Sequence, residues 1–269
     1  KNYQKLDEKG EKIGPVTACE LDRCMHRGYP ADKVVLDMMR EIHRYFEFPK
    51  KNKMAVGLGG GHSGFTVSVM HLMNTVSAFN VFVDTLKPES SNSKQGGAFR
   101  QSWGLQLIEL QKYAQNGDEK RIHFSNAEGQ IPKADELENM GIKLFVGVGH
   151  ETTGATTYSE EDVSNLLEWI NRDPINHHAL IDATSSLGAM PWAEDIVRQV
   201  IEKCILFMPF QKAIGGTAGY FIVSFTPQAL DLVQQNVNNP AWAIPRQLKL
   251  ALPEDGQRPI SGKKSLVDG

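Results

Sequence analysis

The sequence predicts an α/β protein with a mostly parallel sheet covered by helices on both faces. Two observations carry this. Short apolar runs bounded by glycine or polar clusters alternate with amphipathic helical patterns along most of the chain, and the residues with chemical potential fall just after the apolar runs. Open parallel sheets bind ligands at the carboxyl ends of their strands, so that position is where a site is expected.

The strand candidates are Met54–Leu58, Asn80–Val83, Leu144–Val148, Ala179–Ile181, Ile205–Phe207 and Phe221–Ser224. The helical patterns fall near Thr66–Ala78, Leu105–Ala114, Glu160–Ile170, Glu194–Lys203 and Gln228–Gln235. In one of them Val163, Leu166, Leu167 and Ile170 form an i, i+3, i+4, i+7 stripe. A further helix precedes the first strand: Val35, Met38, Met39, Ile42, Tyr45 and Phe46 recur at helical spacing, and Pro49 stops the run. The polar loop from Lys87 to Gln101 and the tail from Asn236 to Gly269 break the rhythm. The tail carries Pro240, Pro245, Pro253 and Pro259 and has too few apolar residues to build a domain.

The chain has 269 residues, 41% hydrophobic and 23% charged, enough for a sizeable core and unlike a disordered chain. Its formal net charge of −3 gives no general field for nucleic acid or an anionic membrane, so an anionic ligand must be gripped locally. No apolar run approaches the ~20 residues that cross a bilayer, and Lys1–Lys5 lacks an apolar signal core; a cytoplasmic protein is expected. Cys19, Cys24 and Cys204 match no common metal or redox spacing and read as reduced thiols, with no metal site expected.

The first strand runs into Leu58-Gly59-Gly60-Gly61-His62-Ser63-Gly64, a turn whose small residues let backbone N–H groups approach an anion at a helix start. No Gly-Lys-Ser/Thr closes it, so it is not a Walker loop. It does satisfy Gly-x-Gly-x-x-Gly through Gly59, Gly61 and Gly64, with Asp84 ending the next strand where a ribose-binding acid would stand. A dinucleotide, another phosphate group and a tight turn without ligand all remain open from this turn alone.

Two later positions narrow the choice. Lys212 follows a short apolar strand and precedes Ala213-Ile214-Gly215-Gly216. A lysine in apolar surroundings is expected to be desolvated, which lowers its pKa and lets the neutral amine form a Schiff base. Asp182 ends the run His178–Ile181 and is followed by Thr184, Ser185 and Ser186. An acid there suits a protonated pyridine nitrogen, the need of an electron-sink cofactor. Hydride transfer has no use for the lysine.

These segments, with His150-Glu151-Thr152-Thr153-Gly154, resemble the class V pyridoxal-phosphate (PLP) dependent aminotransferases, the phosphoserine aminotransferases most of all. The resemblance runs from about His26 to Ser224 with the motifs in the family's order. It implies the large domain of a fold type I PLP-dependent transferase over 51–236, an N-terminal segment and helix over 1–50, and a polar tail over 237–269 leading toward a smaller C-terminal domain. It further implies that Lys212 carries PLP, that Asp182 pairs with the pyridinium and that Trp103 stacks on the ring. Thr152 would bond the phenolic oxygen, and Gly61, His62 and Gln211 would hold the phosphate. His26 and Arg27 match the pair whose arginine binds the substrate's acidic group.

The substrates implied are an amino acid and a 2-oxo acid, in a homodimer. Family members draw a substrate arginine and an Asn-Thr pair from the C-terminal domain; this chain ends before such a domain and is expected to be part of a longer protein. His62 stands where Ser, Thr or Arg is usual, His150 replaces Asn, and Ala213–Gly216 replaces Asn-x-Gly-Pro. The departures leave the PLP chemistry in place and the substrate open. The competing readings are a PLP-dependent lyase or desulfurase of the same fold, an NAD-dependent oxidoreductase using Gly59, Gly61 and Gly64, and a non-catalytic PLP-binding relative.

Overall fold

Alternating apolar runs and amphipathic segments resolve into one large sheet with helices packed on its two faces. The computed structural model describes residues 4–6, 12–15, 29–58, 61–72, 80–84, 122–125, 129–151, 156–212, 214–216, 218–237 and 248–250. The elements are β1 (Gln4–Leu6), β2 (Lys12–Pro15), α1 (Tyr29–Tyr45), β3 (Lys53–Leu58), α2 (Gly61–Leu72), β4 (Asn80–Val83), β5 (Ile122–Phe124) and α3 (Ala134–Asn139). They continue with β6 (Ile142–Val148), β7 (His150–Glu151), β8 (Thr156–Thr157), α4 (Glu160–Arg172), β9 (His178–Asp182), α5 (Glu194–Lys203), β10 (Ile205–Pro209), β11 (Tyr220–Phe225), α6 (Pro227–Val237) and β12 (Leu248–Leu250).

Eight strands form the main sheet in the order β12-β3-β11-β10-β9-β6-β4-β5. The strands from β10 to β5 pair in parallel. Strand β11 is antiparallel to both β10 and β3, so β3 points the same way as the parallel set, and β12 is antiparallel to β3. The carboxyl ends of β3, β10, β9, β6, β4 and β5 therefore lie along one edge. Within 237–269, the alternating Leu248-Lys249-Leu250 adds a strand to this sheet, where the composition of the tail suggests only a linker.

Period-two alternation divides the strands between two cores. Ala179 and Ile181 of β9, with Leu206 and Met208 of β10, join Met39 of α1, Leu137 of α3, Trp169 of α4 and Val200 of α5. Leu180, Ile205 and Phe207 face the other way, against Phe65, Val69 and Leu72 of α2 and Ala229 and Val233 of α6. The stripe seen in α4 is buried at all four positions. Ser159 caps that helix, accepting the Asp162 N–H at 3.1 Å while Asp162 accepts the Ser159 N–H at 3.1 Å. At the far end of α5, the buried Asn52 donates to the carbonyls of Ile201 at 3.1 Å and Glu202 at 3.4 Å, so the segment before β3 caps a helix nearly 150 residues later.

Helix α2 begins at Gly61, earlier than the expected Thr66, because the glycines serve packing rather than breaking the helix. Gly57 and Phe221 are cross-strand partners. A Cβ at Gly57 or at Gly64 would overlap the Phe221 ring, so that ring is held between the strand backbone and the helix backbone. The third glycine of the turn thus allows close approach of helix to sheet. The helix expected near Leu105–Ala114 lies outside the described residues, as does 73–79. Among the described residues, no helix is long and apolar enough to cross a membrane.

At the amino end of β9, His177 stacks on Trp169 at 4.4 Å and 10°, its Nδ1 2.8 Å from the Trp169 carbonyl. The adjacent His178 is 4% exposed, and burial, with His177 next in effect, lowers its pKa to about 4.

Gly64→Val should cost roughly 1–3 kcal/mol by urea denaturation through overpacking, and part of that cost should disappear when Phe221 is also changed to Leu. Because His178 is neutral when folded and protonates near 6.5 when unfolded, its contribution is full above pH 6.5 and declines as pH falls toward 4. The decline is worth about 3 kcal/mol. His178→Gln should flatten the slope of unfolding free energy between those pH values, and an unchanged slope would refute the assignment.

Candidate functional site

The strand that carries the acid is buried along its whole length. All five residues of β9 are buried, and Asp182, at its carboxyl end, is 4% exposed. Its Oδ1 accepts the Thr184 N–H at 2.9 Å and also the Thr184 hydroxyl. This is a local Asp turn, in which an acid two residues ahead of a hydroxyl residue orients its own carboxylate. The sequence marks Thr184 only as one of three hydroxyl residues after Asp182, although the Asp-x-Thr spacing is the signal of this turn. The backbone of Asp182 is fixed as well: it stands opposite Val148 in β6 and Phe207 in β10, and its carbonyl accepts the Gly149 N–H at 3.2 Å.

Lys212 lies in the connection from β10 to β11, five residues beyond the partner of Asp182. The Lys212 carbonyl accepts the Gly215 N–H at 2.8 Å, and the Phe210 carbonyl accepts the Gly216 N–H at 2.7 Å. Gly215 (φ 73°) and Gly219 (φ 108°) occupy left-handed conformations that let the connection reverse. At its base, Phe210 stacks on Tyr220 at 6.2 Å. The expected desolvation of Lys212 is not met: Lys212 and Gln211 are both exposed. The apolar residues flanking them, Phe210 and Met208, turn into the core and leave the lysine outward on the turn.

The cradle expected near Gly61 and His62 maps to the first turn of α2, which starts three residues after β3 ends. The opening N–H groups of a helix lack intrahelical acceptors and favour an anion. Adjacent strands are ~4.8 Å apart, so the end of β3 lies roughly 14 Å from the end of β9 across β11 and β10. Gly61, Lys212 and Asp182 thus share one edge of the sheet. The donor set fits PLP: helix N–H groups for its phosphate, an amine for its aldehyde and a buried acid for its ring nitrogen. His26, Arg27, Trp103 and Thr152 lie outside the described residues.

Asp84 ends β4 on the same edge but is engaged in the framework. It is 5% exposed, its Oδ2 accepts the Gly129 N–H at 3.1 Å, and it lies near the buried Tyr158, whose pKa is raised by burial and then by this acid. A ribose-binding acid would have to present its oxygens outward, so the geometry offers no support to the dinucleotide reading. Tyr158 carried no signal in the sequence. Cys204 is fully buried, and burial pushes its thiol up to about 12.

No protein-family model and no curated protein sequence matches the chain. Solved structures do match. A ureidoglycine–glyoxylate aminotransferase from Bacillus subtilis is 14% identical, with a TM-score of 0.56 over 80% of this chain and 49% of its own. A phosphoserine aminotransferase from Cytophaga hutchinsonii is 11% identical, with a TM-score of 0.56 over 84% and 54%. A cysteine desulfurase from Thermococcus onnurineus is 12% identical, with a TM-score of 0.50 over 77% and 47%. The chain spans about half the length of the structures it matches. At these identities the likeness is one of fold: the sheet and its covering helices are those of the fold type I aminotransferases.

Proposed function

We propose that this chain binds PLP through Lys212 and takes part in moving an amino group between an amino acid and a 2-oxo acid. The observation that carries the reading is the β9–β10 register. It sets the buried Asp182 opposite Phe207, with Lys212 on the turn just beyond and the start of α2 on the same edge. The aminotransferases that share the fold support the same conclusion.

When bound, PLP supplies an aldehyde and a ring that withdraws electrons from the substrate's α-carbon. Asp182 holds a proton on the ring nitrogen, and Thr184 keeps the carboxylate turned to do so. Lys212 Nζ would hold the cofactor at its aldehyde, and its free amine would carry the substrate's α-proton as base and then acid. The N–H groups from Gly61 onward, together with His62 and Gln211, receive the phosphate. The roles of Trp103 at the ring face, Thr152 at the phenolic oxygen, and His26 and Arg27 at the substrate's anion rest on the family resemblance and belong to the proposal. So do the homodimer, the cytoplasmic setting and a phosphoserine-like substrate.

The buried Cys204 argues against sulfur removal by that residue, since such chemistry needs an accessible thiolate. Native protein treated with iodoacetamide near neutral pH should leave Cys204 unmodified by peptide mapping, with full labelling in denaturant; native labelling would reopen the desulfurase reading. For the main proposal, protein mixed with PLP should develop a visible absorbance band, and borohydride should fix the cofactor on the peptide bearing Lys212. Lys212→Ala should abolish the adduct and lower amino transfer by at least about 100-fold. An adduct at any other lysine would overturn the assignment.

A further inference from the structure

Between the two buried acids of the sheet edge lies a series of contacts that runs through Tyr158 and the end of β6. It starts at the Gly129 N–H, which donates to Asp84 Oδ2 at 3.1 Å. The Tyr158 hydroxyl accepts the Val148 N–H at 3.2 Å, and the Asp84 carboxylate lies near enough to add to the rise in the phenol's pKa that burial causes. Val148 is the cross-strand partner of Asp182, and the next residue, Gly149, donates its N–H to the Asp182 carbonyl at 3.2 Å. The series ends at Thr184, whose N–H and hydroxyl meet Asp182 Oδ1.

Several features tie the series to this arrangement rather than to core filling alone. A Cβ at position 147 would overlap the Tyr158 hydroxyl, so the strand carries glycine where the phenol crosses it. Tyr158 is itself held at its backbone, where its carbonyl accepts the Trp192 Nε1–H at 2.8 Å. The Gly149 carbonyl accepts the Thr157 hydroxyl at 3.1 Å, so the residue before Tyr158 grips the same strand end. A phenylalanine would fill the volume of Tyr158 but leave the Val148 N–H without this partner, in a dry place where lost partners are costly. Burial raises the phenol's pKa well above its ordinary value, so it remains a proton donor.

We propose that Tyr158 and Asp84 are positioning residues: acting through Val148 and Gly149, they fix the end of β6 against Asp182 and so set how that acid meets the PLP ring. The proposal rests on the PLP reading above. It concerns residues that do not themselves touch the cofactor.

The test compares the 269-residue chain with its Tyr158→Phe variant in two arms. Without cofactor, amide hydrogen exchange at Val148 and Gly149 should accelerate about tenfold in the variant, while amides of Leu166–Ile170 in α4 keep the wild-type rate. With PLP titrated in, the dissociation constant should rise about tenfold and the visible absorbance maximum should shift. Faster exchange with a wild-type dissociation constant and spectrum would reduce the pair to a structural role and overturn the proposal, as would unchanged exchange. If wild-type protein binds no PLP, the functional reading fails by itself, and the exchange arm still decides whether the pair orders the end of β6. Should Tyr158→Phe fail to fold, Asp84→Asn, which removes the charge beside the phenol and weakens the acceptor of the Gly129 N–H, carries the same two arms with the same expected directions.

Discussion

The parallel ladder of β6, β9 and β10 is the constraint on which the account depends. Its register fixes Asp182 between Val148 and Phe207, and the Gly149 N–H and Thr184 hold the acid from two directions. A buried carboxylate is costly unless its oxygens are satisfied, so the turn at Thr184 is as much a condition of folding as of function. Once the ladder is set, the positions of the other elements follow. The turn bearing Lys212 leaves the next strand, and β11 returns antiparallel to bring β3, with the start of α2, onto the same edge.

The packing that supports this ladder is divided between two unlike faces. One carries the large core that includes Trp169, Phe145 and Met39, and α4 and α5 cover it. The other is thinner at the point where α2 meets the sheet, because Phe221, which packs on the Phe207 ring, also lies against the glycines of β3 and α2. That close approach keeps the first turn of α2 near the strand ends. The glycines at 57 and 64 therefore connect packing to the anion-binding geometry, and a side chain at either would push the helix outward. The Asn52 cap joins the segment before β3 to the end of α5 and so ties the outlying strand β3 to the opposite face.

Much of this was legible in the sequence. Asn80–Val83 and Glu194–Lys203 form as expected, and the other strand candidates grow by one or two residues at their ends. Continuous apolar runs in a parallel sheet announce themselves, and the α4 stripe does the same for a helix. Elements of three to six residues such as β5, α3 and β12 are too short for any period to stand out. The start of α2 was hidden because glycine ordinarily marks the end of regular structure, whereas here it marks contact.

At the site, the acid and the lysine were visible as strand-end residues, but their environments were not. Apolar neighbours in sequence suggested that Lys212 is dry; in a tight turn those neighbours point inward and the lysine outward. Asp84 had the right spacing for a ribose, yet it is buried and its Oδ2 is taken by the Gly129 N–H, a contact that only the folded chain brings together. Spacing along a chain fixes which end of a strand a residue occupies, while exposure depends on elements distant in sequence. The most direct test of the whole account is a crystal structure of the chain grown with PLP. It should show density joined to Lys212 Nζ, a phosphate at the first turn of α2 and the ring nitrogen on Asp182; cofactor density away from Asp182, or none at the Lys212 turn, would contradict it.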